Sequence, residues 1–253
     1  SIAYIGMNIF YSFGRFLLFI RNSLFIRPDN MVMYRKEAFR QMNSIGIESM
    51  AIVAVVALFI GAVTAIQFSY QIQDFAVPAY YIGYIVRDSM IIEMAPTVSA
   101  MILAGKVGSN MASELGNMRI TEQIDALEIM GVNAQGYLVG TKVIAALVTI
   151  PMLVAWAALI GILGGLGATL LSGAATLGEF KHGLMAFFMP MNFRVMIIKS
   201  CCFALLLSII ACFQGYFVKG GAVEVGNATT RAVVQSNIAI LVFDYIIAAI
   251  LLQ

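Results

Sequence analysis

Long apolar segments constrain this chain more than any other feature of its sequence. Crossing a hydrocarbon core about 30 Å thick takes roughly 20 helical residues, with a range of about 17–25. Five segments meet this requirement, the last if its helix begins at residue 232: 50–66, 89–105, 143–171, 195–218 and 238–252. Hydrophobic residues make up 61% of the 253 residues and charged residues only 11%, which excludes an ordinary soluble domain. We therefore predict an all-α integral membrane protein with five transmembrane helices.

The N-terminal segment is aromatic and amphipathic rather than uniformly apolar. Residues 7–26 fit a helix that lies in the membrane interface. Its polar face is formed by Asn8, Ser12, Arg15 and Asn22. A sixth span is the alternative interpretation, which Arg15 and Arg21 disfavour because an arginine is costly in the bilayer core.

A polar connection joins this interfacial helix to the first span. Pro28 and Asp29 end the helix, and residues 34–44 are predicted to form an elbow. No internal repeat is visible, so the chain is treated as one domain over residues 1–253. Interfacial and elbow helices occupy residues 1–44, and the transmembrane region occupies residues 45–253.

The distribution of lysine and arginine predicts the orientation, because cytoplasmic loops are enriched in these residues. With the N-terminus in the cytoplasm and the C-terminus in the periplasm, eleven cations lie inside and three lie outside. The inside set is Arg15, Arg21, Arg27, Arg35, Lys36, Arg40, Lys106, Arg119, Lys142, Lys219 and Arg231, and the outside set is Arg87, Lys181 and Arg194. The net charge of only +2 gives no reason to expect nucleic acid.

The cytoplasmic connection over residues 106–142 concentrates polar residues in an otherwise apolar chain. A helix is predicted over residues 120–130, with Ile124, Leu127 and Met130 on its apolar face and Gly131 at its end. The polar residues concentrated in this connection include Glu114, Arg119, Glu122, Gln123, Asp125 and Glu128. Such a helix either docks a soluble motor protein or belongs to a solvated loop, and the spacing alone leaves both open.

Three ionisable residues fall within predicted spans: Glu93, Lys199 and Asp244. Each is costly in the bilayer unless it is paired, faces a cavity or becomes neutral. Their opposite signs permit a network, either an ion-pair link between helices or part of a transport pathway. Arg87 and Asp88 are placed near the outer end of the second span, where water or headgroups would solvate them. In the third span, Gly161 and Gly165 predict close helix packing.

The chain shows no motif for nucleotide or metal chemistry. It lacks a GxxxxGK[ST] segment, the usual phosphate-binding loop, and has no spacing typical of a metal site. We therefore expect that this chain is not itself an enzyme and binds no cofactor or metal.

Several segments resemble one known family. ELGNMRITEQIDALEIMGV, EMAPTVSAMILAGKVGS from Glu93, GIESMAIVAVVALFIGAV from Gly46 and ATTRAVVQS from Ala228 are similar to the MlaE (YrbE-like) family of ABC-transporter permeases. The resemblance extends over nearly the whole chain. It implies a homodimer in the bacterial inner membrane that moves phospholipids and maintains the lipid asymmetry of the outer membrane. The implied partners are a cytoplasmic ABC ATPase that binds ATP and Mg²⁺, an MCE-domain protein on the outer face, and a small regulatory subunit on the ATPase.

The resemblance also implies roles for particular residues. The six polar residues named above in the 106–142 connection become candidate partner-binding residues, which would contact the ATPase. The lipid pathway would include Thr64, Gln67, Ile72, Phe75, Tyr80, Arg87 and Glu93. The family commonly has Arg immediately before the glutamate, where this chain has Ile92, so Arg87 is the nearest upstream substitute.

Two other functions remain as alternatives. An ion-coupled carrier would use Glu93, Lys199 and Asp244 as a proton relay and would need no ATPase. A non-transporting scaffold would only anchor an MCE-domain protein. The charged cytoplasmic connection favours the ABC permease over both.

Overall fold

The computed structural model describes residues 14–23, 31–72 and 77–251. Within these ranges all regular structure is helical and no strand occurs. The helices are α1 (residues 14–23), α2 (Met31–Ile72), α3 (Tyr81–Ile120), α4 (Gln123–Ile129), α5 (Gly136–Ser172), α6 (Leu177–Met185), α7 (Pro190–Tyr216) and α8 (Ala222–Leu251). Five of them, α2, α3, α5, α7 and α8, are long and apolar enough to cross a membrane. The predicted all-α membrane fold with five spans is confirmed.

The spanning helices extend beyond their apolar segments. α2 is one helix of 42 residues, so the predicted elbow at residues 34–44 is instead its first part. α8 begins at Ala222 rather than near residue 232, which places Arg231 inside the helix. Hydropathy marks the part of a helix that suits lipid, whereas backbone hydrogen bonds let the helix continue into water.

Wide π-helical turns interrupt α3 and open α5. They cover Met90–Val98 and Ala104–Gly108 in α3, and Gly136–Gly140 at the start of α5. The first contains Pro96, which has no backbone N–H and whose ring crowds the preceding turn of a regular α-helix. Wider turns of this kind occur often at functional sites, and this one carries Glu93.

The helix predicted over residues 120–130 is shorter than expected. α3 continues to Ile120, and α4 begins only at Gln123. Glu122 separates them because its backbone is left-handed, with φ of 59°. A non-glycine residue seldom adopts this conformation, so the break could not be predicted from residue type.

The chain divides into two compact units. Unit 1 comprises Ser1–Asn43, Ala104–Ala146 and Leu205–Ile238, and its fully buried side chains include Phe19, Met111 and Ile124. Unit 2 comprises Ser44–Leu103, Leu147–Ala204 and Ala239–Gln253, and its buried side chains include Met90, Phe180 and Phe203.

Close glycine contacts pack α2, α3 and α5 within unit 2. A Cβ atom on Gly61 of α2 would lie 1.8 Å from the carbonyl oxygen of Gly161 in α5. A Cβ atom on Gly165 would lie 2.6 Å from a methyl carbon of Val86 in α3. The close packing predicted from Gly161 and Gly165 is therefore confirmed.

α6 is a short helix between α5 and α7 with a well-formed start. The Thr176 hydroxyl accepts a hydrogen bond from the Glu179 backbone N–H, and the Glu179 carboxylate accepts one from the Thr176 backbone N–H at 2.7 Å. This reciprocal cap stabilises the first turn. The hydrogen bonds from Thr176 also hold the pKa of Glu179 below its usual range.

Candidate functional site

Unit 1 holds α4 in place through contacts at both ends. Ile124 is completely buried. Near the start of α4, Asp125 Oδ1 lies 2.7 Å from Arg119 Nη1 in the last turn of α3. Near its end, the Tyr216 hydroxyl at the end of α7 donates a hydrogen bond of 2.9 Å to Glu128 Oε1. A helix of seven residues is too short to be stable alone, so these contacts determine its position.

The opposite surface of α4 is exposed. Glu122 and Gln123 are exposed, as are Ile129 at 87% and Met130 at 68%. Met130, predicted to lie on the apolar face with Ile124, instead lies in the turn that follows α4, because the helix ends at Ile129. We call Glu122, Gln123, Ile129 and Met130 the outer face of α4. It combines polar groups with two large apolar side chains.

The remaining predicted partner-binding residues make contacts within the chain. Glu114 pairs with Lys142, whose side chain is only 2% exposed. Arg119, Asp125 and Glu128 hold α4 through the contacts given above. Of the six candidates, Glu122, Gln123 and Glu128 are exposed, and four link helices of unit 1: Glu114, Arg119, Asp125 and Glu128.

Unit 2 brings Glu93, Lys199 and Asp244 together. Lys199 Nζ lies 2.7 Å from Glu93 Oε2 and 2.7 Å from Asp244 Oδ1. The Lys199 side chain is completely buried, whereas the Glu93 side chain is 41% exposed. The Thr97 hydroxyl lies 3.3 Å from Glu93 Oε1 and 3.2 Å from Asp244 Oδ1. We call Glu93, Lys199, Asp244 and Thr97 the charge cluster.

The charge cluster combines a fixed cation with a partly open carboxylate. Each of the three charges would be costly to bury alone. The attraction between the Lys199 ammonium and the two carboxylates offsets this desolvation cost. Glu93 remains open enough to accept a hydrogen bond from another molecule. Sequence analysis missed Thr97, although its position four residues after Glu93 places both on one helical face.

Among the other predicted lipid-pathway residues, Thr64 and Tyr80 contact residues outside the predicted pathway. The buried Thr64 hydroxyl donates to the Ile60 carbonyl at 2.8 Å, and Gln67 is exposed. The Tyr80 ring stacks on Tyr81 with ring centroids 4.6 Å apart. Ile72 is half-buried, and Phe75 lies outside the described residues.

Arg87 stabilises the C-terminal end of α6. Its Nη1 donates hydrogen bonds to the carbonyl oxygens of Leu184 at 2.7 Å and Ala186 at 2.9 Å. Its Nε contacts Asp88 Oδ1 at 2.8 Å. Only 4% of Arg87 is exposed, so the expectation that water or headgroups surround it is wrong. A guanidinium at the C-terminus of a helix compensates carbonyl groups that lack helical partners.

Comparison with known families decides what kind of protein this is. The model of the family described as Permease MlaE matches residues 38–250. The chain belongs to the MlaE permease family. The resemblance predicted from the TEQIDAL segment and its neighbours is therefore confirmed.

Relatives of this MlaE-family permease extend over most of its length. A probable ABC transporter permease protein of Rickettsia prowazekii is 37% identical, over 93% of this chain and 90% of the relative. One from Synechocystis is 33% identical, over 93% and 89%. The intermembrane phospholipid transport system permease protein MlaE of Haemophilus influenzae is 30% identical, over 84% and 81%. The chain is thus similar to ABC-transporter permeases, and the region matched by the family model contains both α4 and the charge cluster.

Proposed function

We propose that this MlaE-family permease is the membrane subunit of an ATP-driven phospholipid transporter in the bacterial inner membrane. Two copies form the translocation path, and a separate ABC ATPase with a small regulatory subunit supplies energy from ATP and Mg²⁺. An MCE-domain protein on the outer face exchanges lipid with the permease, and the system maintains the lipid asymmetry of the outer membrane. The name of the Haemophilus influenzae relative supports phospholipid as the cargo.

The outer face of α4 is the observation that carries this proposal. An ATPase must bind a permease segment that is firmly attached to the spanning helices, since a loose loop would not transmit its movement. α4 meets this requirement because Ile124, Asp125 and Glu128 anchor it. Its exposed polar pair and apolar end offer both directional and hydrophobic contacts, as protein interfaces use.

The charge cluster supports a pathway for an amphipathic cargo. Its buried cation and partly open carboxylate lie on helices whose remaining surface is largely apolar. A phospholipid needs apolar walls for its acyl chains and polar contacts for its headgroup. We propose that Glu93 contributes to this pathway together with Thr64, Gln67, Ile72, Phe75 and Tyr80.

Purification of the permease with its partners tests the proposal. The double variant Glu122→Ala/Gln123→Ala should reduce ATPase recovery and ATP-dependent lipid transfer in proteoliposomes, by roughly tenfold if the pair is worth about 1.4 kcal/mol. Lys181→Ala is the matched control, since Lys181 is equally exposed but lies on α6. Unchanged recovery and transfer in the double variant, and in Ile129→Asp, would contradict the role of α4.

The charge cluster also favours a second candidate, an ion-coupled carrier. Lys199 lies within hydrogen-bonding distance of both Glu93 and Asp244. A proton relay requires such a continuous series of contacts. This carrier would move lipid in response to a pH gradient without ATP. Transfer by the permease alone under a pH gradient, with no ATPase in the vesicles, would favour it over the ABC transporter.

A further inference from the structure

Tyr216 makes two different connections within unit 1. Its hydroxyl donates to Glu128 on α4, and its ring lies 5.8 Å from the Phe19 ring on α1, measured between centroids. Tyr216 is also the last residue of α7 and is only 7% exposed. One side chain thus joins the end of a spanning helix to both α4 and α1.

An aromatic cluster continues the connection from Tyr216 to α1. The Phe213 ring meets the Phe16 and Phe19 rings edge-on, at centroid distances of 5.2 and 5.5 Å. The Arg15 guanidinium lies 3.8 Å from the centroid of the Phe217 ring. Densely packed side chains transmit displacement because they leave little empty space. These ring contacts therefore join the end of α7 to α1.

The second link from α4 to the spanning helices is weaker. Arg119 and Asp125 form an ion pair, but their side chains are 36% and 49% exposed. Exposed ion pairs contribute little because water screens them. The Tyr216 ring is buried and therefore has a fixed position, and its hydrogen bond to a carboxylate is charge-assisted, which makes it stronger than one between neutral groups.

We propose that Tyr216 is a positioning residue that couples displacement of α4 to α7 and α1. This inference rests on the proposed function, in which an ATPase moves α4. The hydroxyl holds α4, and the ring holds α1. Without the hydroxyl, α4 still binds the ATPase through its outer face but follows α7 and α1 less closely, because only Ile124 and the Arg119–Asp125 pair still attach it. ATP hydrolysis then continues while less lipid is moved for each ATP.

The variant Tyr216→Phe tests this separation in the complete complex. It removes only the hydroxyl, keeps the ring contacts, and leaves the exposed Glu128 solvated rather than buried without a partner. We expect the phospholipid transferred per ATP hydrolysed in proteoliposomes to fall by about three- to tenfold, as for the loss of one hydrogen bond. ATPase recovery and hydrolysis should stay within about twofold of the parent, since the outer face of α4 is intact.

Tyr137→Phe is the matched control. Tyr137 is a half-buried tyrosine of unit 1 that packs edge-on against Tyr34, at a centroid distance of 5.2 Å. It makes the same chemical change without touching α4. A thermal unfolding measurement on both variants separates a loss of stability from a loss of coupling, because a purely structural role would lower Tm without changing lipid transferred per ATP.

Variants of Glu128 complete the test. Glu128→Gln keeps an oxygen acceptor and should retain the parent's ratio of lipid transferred to ATP hydrolysed. Glu128→Ala should lower this ratio as Tyr216→Phe does. The double variant Tyr216→Phe/Glu128→Ala should transfer no less lipid per ATP than either single variant, because both substitutions remove the same hydrogen bond. An unchanged ratio in Tyr216→Phe, or an equal fall in Tyr137→Phe, would overturn this inference alone. Absence of ATP-dependent transfer by the parent complex would overturn the proposed function as well.

Discussion

Lys199 shows how one residue in this membrane protein depends on its neighbours. Its ammonium is completely buried, with carboxylate oxygens of Glu93 and Asp244 each 2.7 Å away. Removing a charge from water costs several kcal/mol, and nearby opposite charges compensate this cost. Because the three residues lie on α7, α3 and α8, the pairing also joins three spanning helices within unit 2.

Replacing Lys199 alone should strongly destabilise the protein. Lys199→Met keeps much of the side-chain volume but leaves two carboxylates close together without their cation. We expect a loss of about 3–5 kcal/mol in the free energy of unfolding, as is typical when one partner of a buried pair is removed. Thermal unfolding in detergent measures the change, and Lys181→Met, at an exposed position, is the control.

Neutralising the whole charge cluster should recover much of that stability. In Lys199→Met/Glu93→Gln/Asp244→Asn no uncompensated charge remains, and Thr97 can still donate to an amide oxygen. If this triple variant is as unstable as Lys199→Met, charge pairing does not explain the sensitivity of the site. A parent-like Tm for Lys199→Met itself would contradict the prediction outright.

Sequence identified the charged residues of the cluster but not every partner. Glu93, Lys199 and Asp244 are conspicuous because ionisable groups are rare within apolar segments. Besides Asp88, the partners of Arg87 include backbone carbonyls 97 and 99 residues away. Every residue carries such a carbonyl, so only the fold selects which ones meet the guanidinium. The fold likewise selects Arg119 and Tyr216 as the partners of Asp125 and Glu128.

Within unit 2, the contact between α2 and α5 leaves no space for a side chain at Gly61. A Cβ atom on Gly61 would approach the Gly161 carbonyl oxygen to 1.8 Å. The obstacle is backbone, which cannot rotate away as a flexible side chain can. Small residues at such crossings allow helices in membranes to approach closely and gain dispersion energy.

Gly61→Ala should therefore separate α2 from α5. We expect a loss of about 1–3 kcal/mol or more, the range for overpacked interiors, measured as a lower Tm in detergent. Gly167→Ala is the matched control, because a Cβ there meets nothing within 4 Å. It should be neutral or stabilising by up to about 1 kcal/mol, since glycine is unfavourable inside a helix. Equal effects of the two substitutions would show that the close approach does not matter.

Sequence predicted the spanning helices better than their ends. Each of the five apolar segments lies largely within one observed helix, because lipid selects for a continuous run of apolar side chains. The ends depend on local backbone conformation, such as the left-handed Glu122 that separates α3 from α4. For α4, seven residues provide too little periodic pattern to define limits, and its position comes from contacts with Arg119 and Tyr216.

The lysines and arginines of the whole molecule are divided unevenly between the two units. Of the fifteen lysines and arginines, only Arg87, Lys181, Arg194 and Lys199 fall within the ranges of unit 2. The other eleven, the set predicted to be cytoplasmic, fall within unit 1. The predicted orientation therefore assigns every cation counted as cytoplasmic to the ranges of unit 1, and α4 lies in unit 1 as well.

Cysteine labelling tests this orientation directly. In a background with Cys201, Cys202 and Cys212 replaced by alanine, Lys181→Cys and Lys219→Cys introduce thiols at exposed positions of unit 2 and unit 1. A small, charged maleimide that does not cross the inner membrane should label Lys181→Cys in intact cells and Lys219→Cys only after lysis. This result follows because basic segments are retained in the cytoplasm. The reverse pattern would place α4 in the periplasm, where no ATP is available, and would leave the outer face of α4 without the proposed ATPase.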